Sequence, residues 1–290
     1  MTEIRLLAVP YEVGAERMGV GRGPERLLEA GAEDALGSRG AEVALDFIEL
    51  REHRRDESGA SEAGAAFELI ELVASRVSKA IAEGAFPVLL SGSCFAGLGV
   101  ATGLGESSPG VVWFDAHGDF NTPESTIDGY FDGMPLAILT GSAWPNLVDR
   151  AGATTVPEPA VVLAGARDFD PLEERRLESS RVVQLPPGSI KSDDAVIRAV
   201  EEIDPPPSGL YLHVDLDVLD SDDAKVNIYS APHGLTPTQL ETQIRSLLAS
   251  GRVHAVSLTA YDPSVDAEQR VPPIAMRLLG AVADHLAGRP

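Results

Sequence analysis

Apolar runs bounded by turn residues alternate along the chain with stretches in which apolar residues recur at helical spacing. The runs at Phe86–Ser91 and Val111–Asp115 are almost continuously apolar. Such runs are typical of strands that are buried on both faces of a parallel sheet. The pattern predicts strands at Ile4–Pro10, Val43–Leu50, Phe86–Ser91, Val111–Asp115, Val161–Gly165, Leu210–Asp215 and Val253–Leu258.

The stretches between these strands carry helix signals. Gly84 ends one of them, and Pro237 stands at the first helical position behind a capping box. The pattern predicts helices at Gly23–Glu29, Ser61–Glu83, Pro237–Ser250 and Pro272–Leu286. Strands that alternate with helices indicate an α/β fold with a parallel sheet covered on both faces. Because no internal repeat or long linker interrupts the pattern, we expect a single domain over residues 1–290.

Reactive side chains fall at the carboxyl ends of three predicted strands. Cys94 follows one strand, Asp115 ends a second and Asp215 ends a third. Ligands of open parallel sheets bind beyond the carboxyl ends of the strands. We therefore expect these three side chains to lie on the same edge of the sheet.

The two strand-end aspartates belong to segments that are rich in metal ligands. The first segment reads DAHGD and the second reads DLD. A single strand-end aspartate is usually a cap for the following loop, but this density of acid would repel itself without cations. Carboxylates with one imidazole suit manganese-type ions, and paired ions lower the pKa of water toward neutrality. The predicted ligands are Asp115, His117, Asp119, Asp215 and Asp217.

Charge and cysteine content narrow the classes of partner. The chain has 45 acidic and 23 basic residues, a net charge of −22, which disfavours nucleic acid and anionic membranes as partners. No apolar run is long enough to span a bilayer, and the first residues lack the pattern of a secretory signal. Cys94 is the only cysteine, so no intrachain disulfide forms. Together these features predict a cytoplasmic location.

The motifs resemble those of the ureohydrolase family, which contains arginase, agmatinase and formiminoglutamase. Asp115–Asn121 is similar to the family's DAHxDxN motif, and Asp215–Asp220 to its DxDxxD motif, with Ser221 where proline is usual. Gly19–Pro24 resembles the family's N-terminal glycine–proline segment, and Leu90–Cys94 its Gly-Gly-Asp-His motif. The resemblance runs nearly end to end.

The resemblance implies a three-layer α/β/α sandwich around a mostly parallel sheet of about eight strands. It also implies two Mn²⁺ ions bridged by hydroxide, a guanidino or amidino substrate, and a trimer or hexamer of identical chains. By the family's pattern, Asp115 and Asp215 bridge the ions, and His117 with Asp217 completes the second site. Asp119 completes the first site and accepts the proton of the bridging water.

Several positions depart from the family's pattern. Cys94 replaces a histidine ligand, and it is either a thiolate ligand or a small buried residue. The first metal site is therefore expected to be weaker, and the binding of one ion instead of two is an open alternative. Asp132 replaces an arginase histidine proposed to shuttle protons, and both a catalytic and a structural role are open. Ala260 replaces the glutamate that anchors the guanidinium, and Tyr229 replaces a small polar residue near the same pocket. These changes favour a less basic substrate, such as a hydroxyguanidine or an acylated amidine.

The end of the pocket that would hold an amino-acid moiety is partly retained. Asn121 matches the position that holds the substrate α-carboxylate, and Asp170 matches the acid that receives the α-amino group. Asp128 takes a position that is serine in arginases, and it is a third candidate for substrate binding. Asn121 is equally explained as a turn residue, and Asp170 as a helix cap.

These features lead to competing hypotheses about function. The first is a metal-dependent hydrolase that cleaves a C–N bond of a guanidino or amidino compound, with a hydroxyarginine-type amino acid as the specific expectation. The second is a catalytically degenerate relative that acts as a metal-binding or structural subunit, which the changes at Cys94 and Ala260 favour. The third keeps the enzyme but changes the bond to an amide or formimino group.

Overall fold

A parallel sheet forms the centre of the protein in the computed structural model, which describes residues 3–50, 59–105 and 110–288. The strands are β1 (Glu3–Val9), β2 (Tyr11–Glu12), β3 (Ala15–Glu16), β4 (Glu42–Phe47), β5 (Phe86–Ser91), β6 (Gly110–Phe114), β7 (Val161–Ala164), β8 (Val183–Leu185), β9 (Leu210–Asp215) and β10 (Val253–Thr259). Eight of them lie in the order β4-β1-β5-β10-β9-β6-β7-β8, and all neighbouring pairs are parallel. The short β2 and β3 pair separately as an antiparallel hairpin.

Helices cover both faces of the sheet. They are α1 (Gly23–Glu29), α2 (Ala32–Gly37), α3 (Gly59–Ala82), α4 (Phe95–Leu104), α5 (Pro135–Leu139), α6 (Pro145–Ala151), α7 (Pro171–Ser179), α8 (Ala195–Glu201), α9 (Pro237–Ala249) and α10 (Val271–Ala287). Among the residues that the structure describes, no helix combines the length and the apolar character needed to cross a membrane.

Successive residues of the strands enter two separate cores, as the period of a β-strand requires. On β1, Leu6 packs into one core with α1, α2, α8, α9 and α10, whereas Leu7 packs into the other with α3, α4, α5 and α6. Val112 and Val111 divide in the same way on β6. The α/β/α sandwich with an eight-stranded parallel sheet is thus confirmed.

Helix α4 is the main element that the sequence pattern did not predict. Its glycines depress helix propensity, but they allow neighbouring elements to approach closely. A Cβ atom at Gly99 would lie 2.6 Å from Cβ of Val73, and one at Gly103 would lie 2.6 Å from Cβ of Val77. The tight contact between α3 and α4 therefore explains why a glycine-rich segment folds as a helix.

The other differences concern short elements and element ends. Strand β8 and helices α2, α5, α6 and α8 were not predicted, because each is short and shows no clear period. Helix α7 begins directly after Asp170, as the alternative explanation of Asp170 as a helix cap implies. Strand β4 ends at Phe47, whereas the prediction extended to Leu50. The long helices predicted from capping signals are present, and α9 has its Thr236–Gln239 capping box.

The sheet order brings the chemically interesting strands together. Strands β5, β10, β9 and β6 are consecutive neighbours, and all four run in the same direction. Their carboxyl ends lead to Cys94, Ala260, Asp215 and Asp115 respectively. The predicted site therefore lies at one edge of the central strands, as expected for an open parallel sheet.

Candidate metal centre and active-site pocket

The two acidic motifs are held together by hydrogen bonds between their loops. Asp115 accepts hydrogen bonds from Nε1 of Trp113 (3.0 Å) and from the backbone N–H of His117 (2.8 Å). Asp215 accepts one from the backbone N–H of Asp217 (2.8 Å). The Asp217 carboxylate in turn accepts the backbone N–H of Ala116 at 3.1 Å, which links the second motif to the first. The carboxylates are therefore fixed before any ligand binds.

The side chains form two overlapping groups whose oxygen, nitrogen and sulfur atoms lie close enough together to hold a metal ion. One group consists of Cys94, Asp115 and Asp215, and the other of Asp115, His117 and Asp217, with the ligand atoms of each group within 4.8 Å of one another. Nδ1 of His117 lies 3.2 Å from Asp115 and 3.4 Å from Asp217. Because Asp115 belongs to both groups, the arrangement provides two adjacent positions for cations.

The electrostatics of the cluster fit divalent cations. Burial, together with the neighbouring carboxylates, raises the pKa of Asp115, Asp119 and Asp215. Burial alone would lower the pKa of His117, but the charges of Asp217 and Asp115 raise it well above its usual value. One oxygen of Asp119, Oδ2, is buried and has no hydrogen-bond partner among the described residues. Such a concentration of buried acid is costly without cations, so the donor set fits the predicted metal centre.

The thiol of Cys94 lies at this cluster. Its Sγ atom is 3.1 Å from Oδ2 of Asp215 and 3.2 Å from Oγ1 of Thr259, and the residue is buried. The side chain therefore closely approaches the predicted first metal position. Ligation by the thiolate stays a prediction.

Asp132 caps the helix that carries Cys94. One carboxylate oxygen accepts hydrogen bonds from the hydroxyl of Ser93 (2.6 Å) and the backbone N–H of Phe95 (3.2 Å). The other accepts one from the backbone N–H of Cys94 (3.2 Å). Burial raises the pKa of this carboxyl to about 6. Asp132 also lines the cavity above the cluster. Its hydrogen bonds show an anchoring role at the start of α4, whereas proton transfer by Asp132 stays a prediction.

The predicted substrate-binding residues line the same cavity, whose volume is about 460 Å³. Asn121 is buried, and its amide donates to Oδ2 of Asp170 at 3.1 Å. Asp170 is the N-cap of α7 and forms a capping box with Glu173. Asp128 accepts the backbone N–H of Tyr130 at 2.8 Å in a turn at the cavity wall. Local structural roles and positions suited to substrate binding thus coincide in these three residues.

Ala260, Tyr130 and Tyr229 also line the cavity. Ala260 is buried there with a left-handed backbone, φ 64°. The ring centroids of Tyr130 and Tyr229 are 5.3 Å apart, and Tyr229 presents its ring to His117 at a centroid distance of 6.4 Å. A substrate group at this wall meets aromatic surface and a methyl group.

Asn227 is a site residue that the sequence analysis missed. Its amide nitrogen donates to Oδ2 of Asp217 (3.0 Å) and to the carbonyl oxygen of Ala260 (3.1 Å). Its carbonyl oxygen accepts the backbone N–H of Tyr229 at 2.9 Å. The residue is buried, and it connects a predicted metal ligand with the aromatic wall. No sequence signal marks it, because it stands in an irregular loop ten residues after Asp217.

Comparisons with known proteins agree with this geometry. The model of the arginase family matches residues 2–283. An arginase from Bacillus caldovelox is 27% identical over 97% of this chain and 98% of its own length. The crystal structure of arginase from Bacillus cereus has a TM-score of 0.86 at 27% identity, covering 100% of this chain and 99% of that one. The structure of formimidoylglutamase from Bacillus subtilis, at 19% identity and a TM-score of 0.76, covers 100% of this chain and 88% of that one and shares the fold.

The family match extends over nearly the whole chain and includes both acidic motifs. The eight-stranded parallel sheet and the buried aspartate–histidine cluster agree with that match. The chain therefore belongs to the arginase family.

Proposed function

We propose that the protein is a metal-dependent hydrolase that cleaves a C–N bond of a guanidino compound. The observation that carries this proposal is the convergence of four residues of the two motifs in the lining of one cavity: His117, Asp119, Asp215 and Asp217. The names of the relatives, which are arginases and a formimidoylglutamase, support an enzyme rather than a degenerate subunit. Trimer or hexamer formation and a cytoplasmic location stay predictions.

The donor set suggests how two ions would be held. Cys94, Asp115 and Asp215 would hold the first ion, and Asp115, His117 and Asp217 the second. By the family's pattern, Asp119 would join the first set and Asp215 the second. We keep Mn²⁺ as the expected metal for the carboxylate-rich position. Divalent ions bound there would lower the pKa of water and so supply a hydroxide nucleophile at neutral pH.

The protein's own groups would handle the proton and the substrate. Within residues 3–50, 59–105 and 110–288, Oδ2 of Asp119 is a buried acceptor without a partner, and burial and neighbouring acids raise the pKa of this carboxyl. It is therefore suited to take the proton of the nucleophilic water. Asn121 and Asp170 lie on the cavity wall where they would bind the α-carboxylate and α-amino groups of an amino acid.

The specific substrate that we propose is an amino acid with an N-hydroxyguanidino group, such as hydroxyarginine. A cationic guanidinium is best held beside a carboxylate, but the residue at this wall is Ala260, which has no carboxylate. Its backbone carbonyl already accepts a hydrogen bond from Asn227. An oxygen substituent makes the guanidine less basic, so its neutral form suits the wall of Ala260, Tyr130 and Tyr229. Addition of water and loss of the δ-amine would give hydroxyurea and ornithine.

A substrate panel tests both levels of the proposal. The Mn²⁺-loaded protein is assayed with hydroxyarginine, arginine, agmatine and formiminoglutamate, and amine release is measured for each. We expect a higher kcat/KM for hydroxyarginine than for arginine, and we expect Ala260→Glu to shift the preference toward arginine. Equal use of the two amino acids would overturn the substrate assignment alone. The hydrolase assignment would fail if no compound were cleaved by protein that demonstrably holds metal.

A further inference from the structure

The two groups of metal ligands differ in the chemistry of one donor. The first contains the sulfur of Cys94 beside the oxygens of Asp115 and Asp215, whereas the second contains the imidazole of His117 and only carboxylates besides. Thiolates favour ions such as Zn²⁺, and carboxylates suit Mn²⁺. A shared carboxylate thus joins two positions with different metal preferences.

The thiol is held at its position by the surrounding structure. Cys94 is 3% exposed, and its backbone N–H donates a hydrogen bond to Oδ2 of Asp132 at 3.2 Å. Helix α4, which begins directly after it, packs without space against its neighbours: a Cβ atom at Gly97 would lie 2.7 Å from Nδ1 of His213. The backbone that carries the sulfur is therefore held in place, and in the structure Sγ lies 3.1 Å from Oδ2 of Asp215.

A second observation indicates that this side of the cluster faces a cation. Oδ2 of Asp119 is buried and has no hydrogen-bond partner in the part of the chain that the structure describes. Asp119 lines the same cavity as Cys94. A buried carboxylate oxygen without a donor is costly unless a cation meets it, and by the family's pattern Asp119 would join the sulfur-containing donor set.

We propose that the two positions bind different ions: a thiophilic ion, Zn²⁺ or Co²⁺, beside Cys94 and Mn²⁺ beside His117. The inference rests on the proposed function only in that the cluster binds metal. Binding replaces the proton of the Cys94 thiol with the ion, and this proton is released to the buffer. The softer donor makes the first position selective, because Mn²⁺ gains little from sulfur.

Cobalt spectroscopy on the full-length protein tests this inference. The protein is stripped with a chelator, supplied with one equivalent of Co²⁺ and an excess of Mn²⁺, and freed of unbound metal. We expect one bound ion of each kind, together with a near-ultraviolet thiolate-to-cobalt charge-transfer band. Bound Co²⁺ without this band would overturn the proposal, as would retention of two Mn²⁺ ions at equal affinity.

Two substitutions sharpen the test. Cys94→Ser keeps the size of the side chain, and it should abolish the band and weaken Co²⁺ binding by more than about 100-fold, beyond the loss typical of an outer hydrogen-bond partner. Cys94→His should remove the band but bind two Mn²⁺ ions. An unchanged affinity for Co²⁺ in Cys94→Ser would refute ligation by sulfur.

The result is separable from the fate of the proposed function. A charge-transfer band without turnover of any guanidino compound supports the mixed pair and overturns the hydrolase assignment. Turnover by protein that, after the competition between Co²⁺ and Mn²⁺, holds two Mn²⁺ ions and shows no band overturns the mixed pair and leaves the hydrolase assignment intact.

Discussion

Removal of the Asn227 side chain should loosen a metal ligand and the aromatic wall together. Asn227→Ala deletes hydrogen bonds to Asp217, to the carbonyl of Ala260 and from the N–H of Tyr229. A bond to a charged group contributes about 1.5–3 kcal/mol, and each neutral bond about 1 kcal/mol. We therefore expect the free energy of unfolding of the metal-free protein to fall by about 4 kcal/mol.

The same substitution should weaken metal binding at the position beside His117. Groups that orient a metal ligand by a hydrogen bond typically contribute about 10–100-fold to metal affinity. Asn227 donates such a hydrogen bond to Oδ2 of Asp217 at 3.0 Å. Isothermal titration with Mn²⁺ measures this affinity, and urea unfolding in a chelating buffer measures the stability. Both should fall in Asn227→Ala.

Gln243 offers a matched control, because it is another buried amide. Its side chain accepts the N–H of Val196 (3.1 Å) and donates to the carbonyl of Ser192 (2.7 Å), and it does not line the cavity. Gln243→Ala should lower the free energy of unfolding by about 2 kcal/mol and leave Mn²⁺ affinity unchanged. Equal losses of metal affinity in the two variants would refute a positioning role for Asn227.

Three further predictions concern a helix cap, a buried acid and a close helix contact. Asp132→Ala removes the three hydrogen bonds that Asp132 accepts at the start of α4 and should lower the free energy of unfolding by about 3 kcal/mol in urea titrations. A change below about 1 kcal/mol would contradict this anchoring role. Burial raises the pKa of Glu173 from 4.5 to about 7, so the folded state binds this proton more tightly than the unfolded state. The stabilisation that this proton provides is therefore complete below pH 4.5 and is lost as the pH rises from 4.5 to about 7. In Glu173→Gln, the free energy of unfolding should depend less on pH over this range. Gly99→Ala should cost about 1–3 kcal/mol in thermal unfolding because its Cβ would meet Val73 at 2.6 Å, whereas Gly64→Ala, with no atom within 4 Å, should not destabilise.

Much of the fold could be predicted from local patterns. Continuous apolar runs predicted the buried strands, since both faces of a parallel sheet are covered. Asp115 and Asp215 could be placed at one edge because parallel strands share a direction, and the sheet confirms this. The strand order itself needed the tertiary structure, because no residue of β5 reveals that β10 lies beside it.

Helix α4 shows where local rules failed. Glycine is unfavourable in a helix, so the segment after Ser91 gave no helix signal. Its close packing against α3, at Gly99 and Gly103, holds it in place. Packing between distant segments is invisible to a window of neighbouring residues.

The site divides in the same way. The sequence by itself determined which ligand types are present, because DAHGD and DLD carry their donors in a few consecutive residues. Only the tertiary structure decided the partners of those donors: Asp132 caps the helix of Cys94, and Asn227 joins Asp217 to Ala260. The physical reason is that a hydrogen bond between loops depends on how the whole sheet and its helices pack, whereas the identity of a ligand depends on one residue alone.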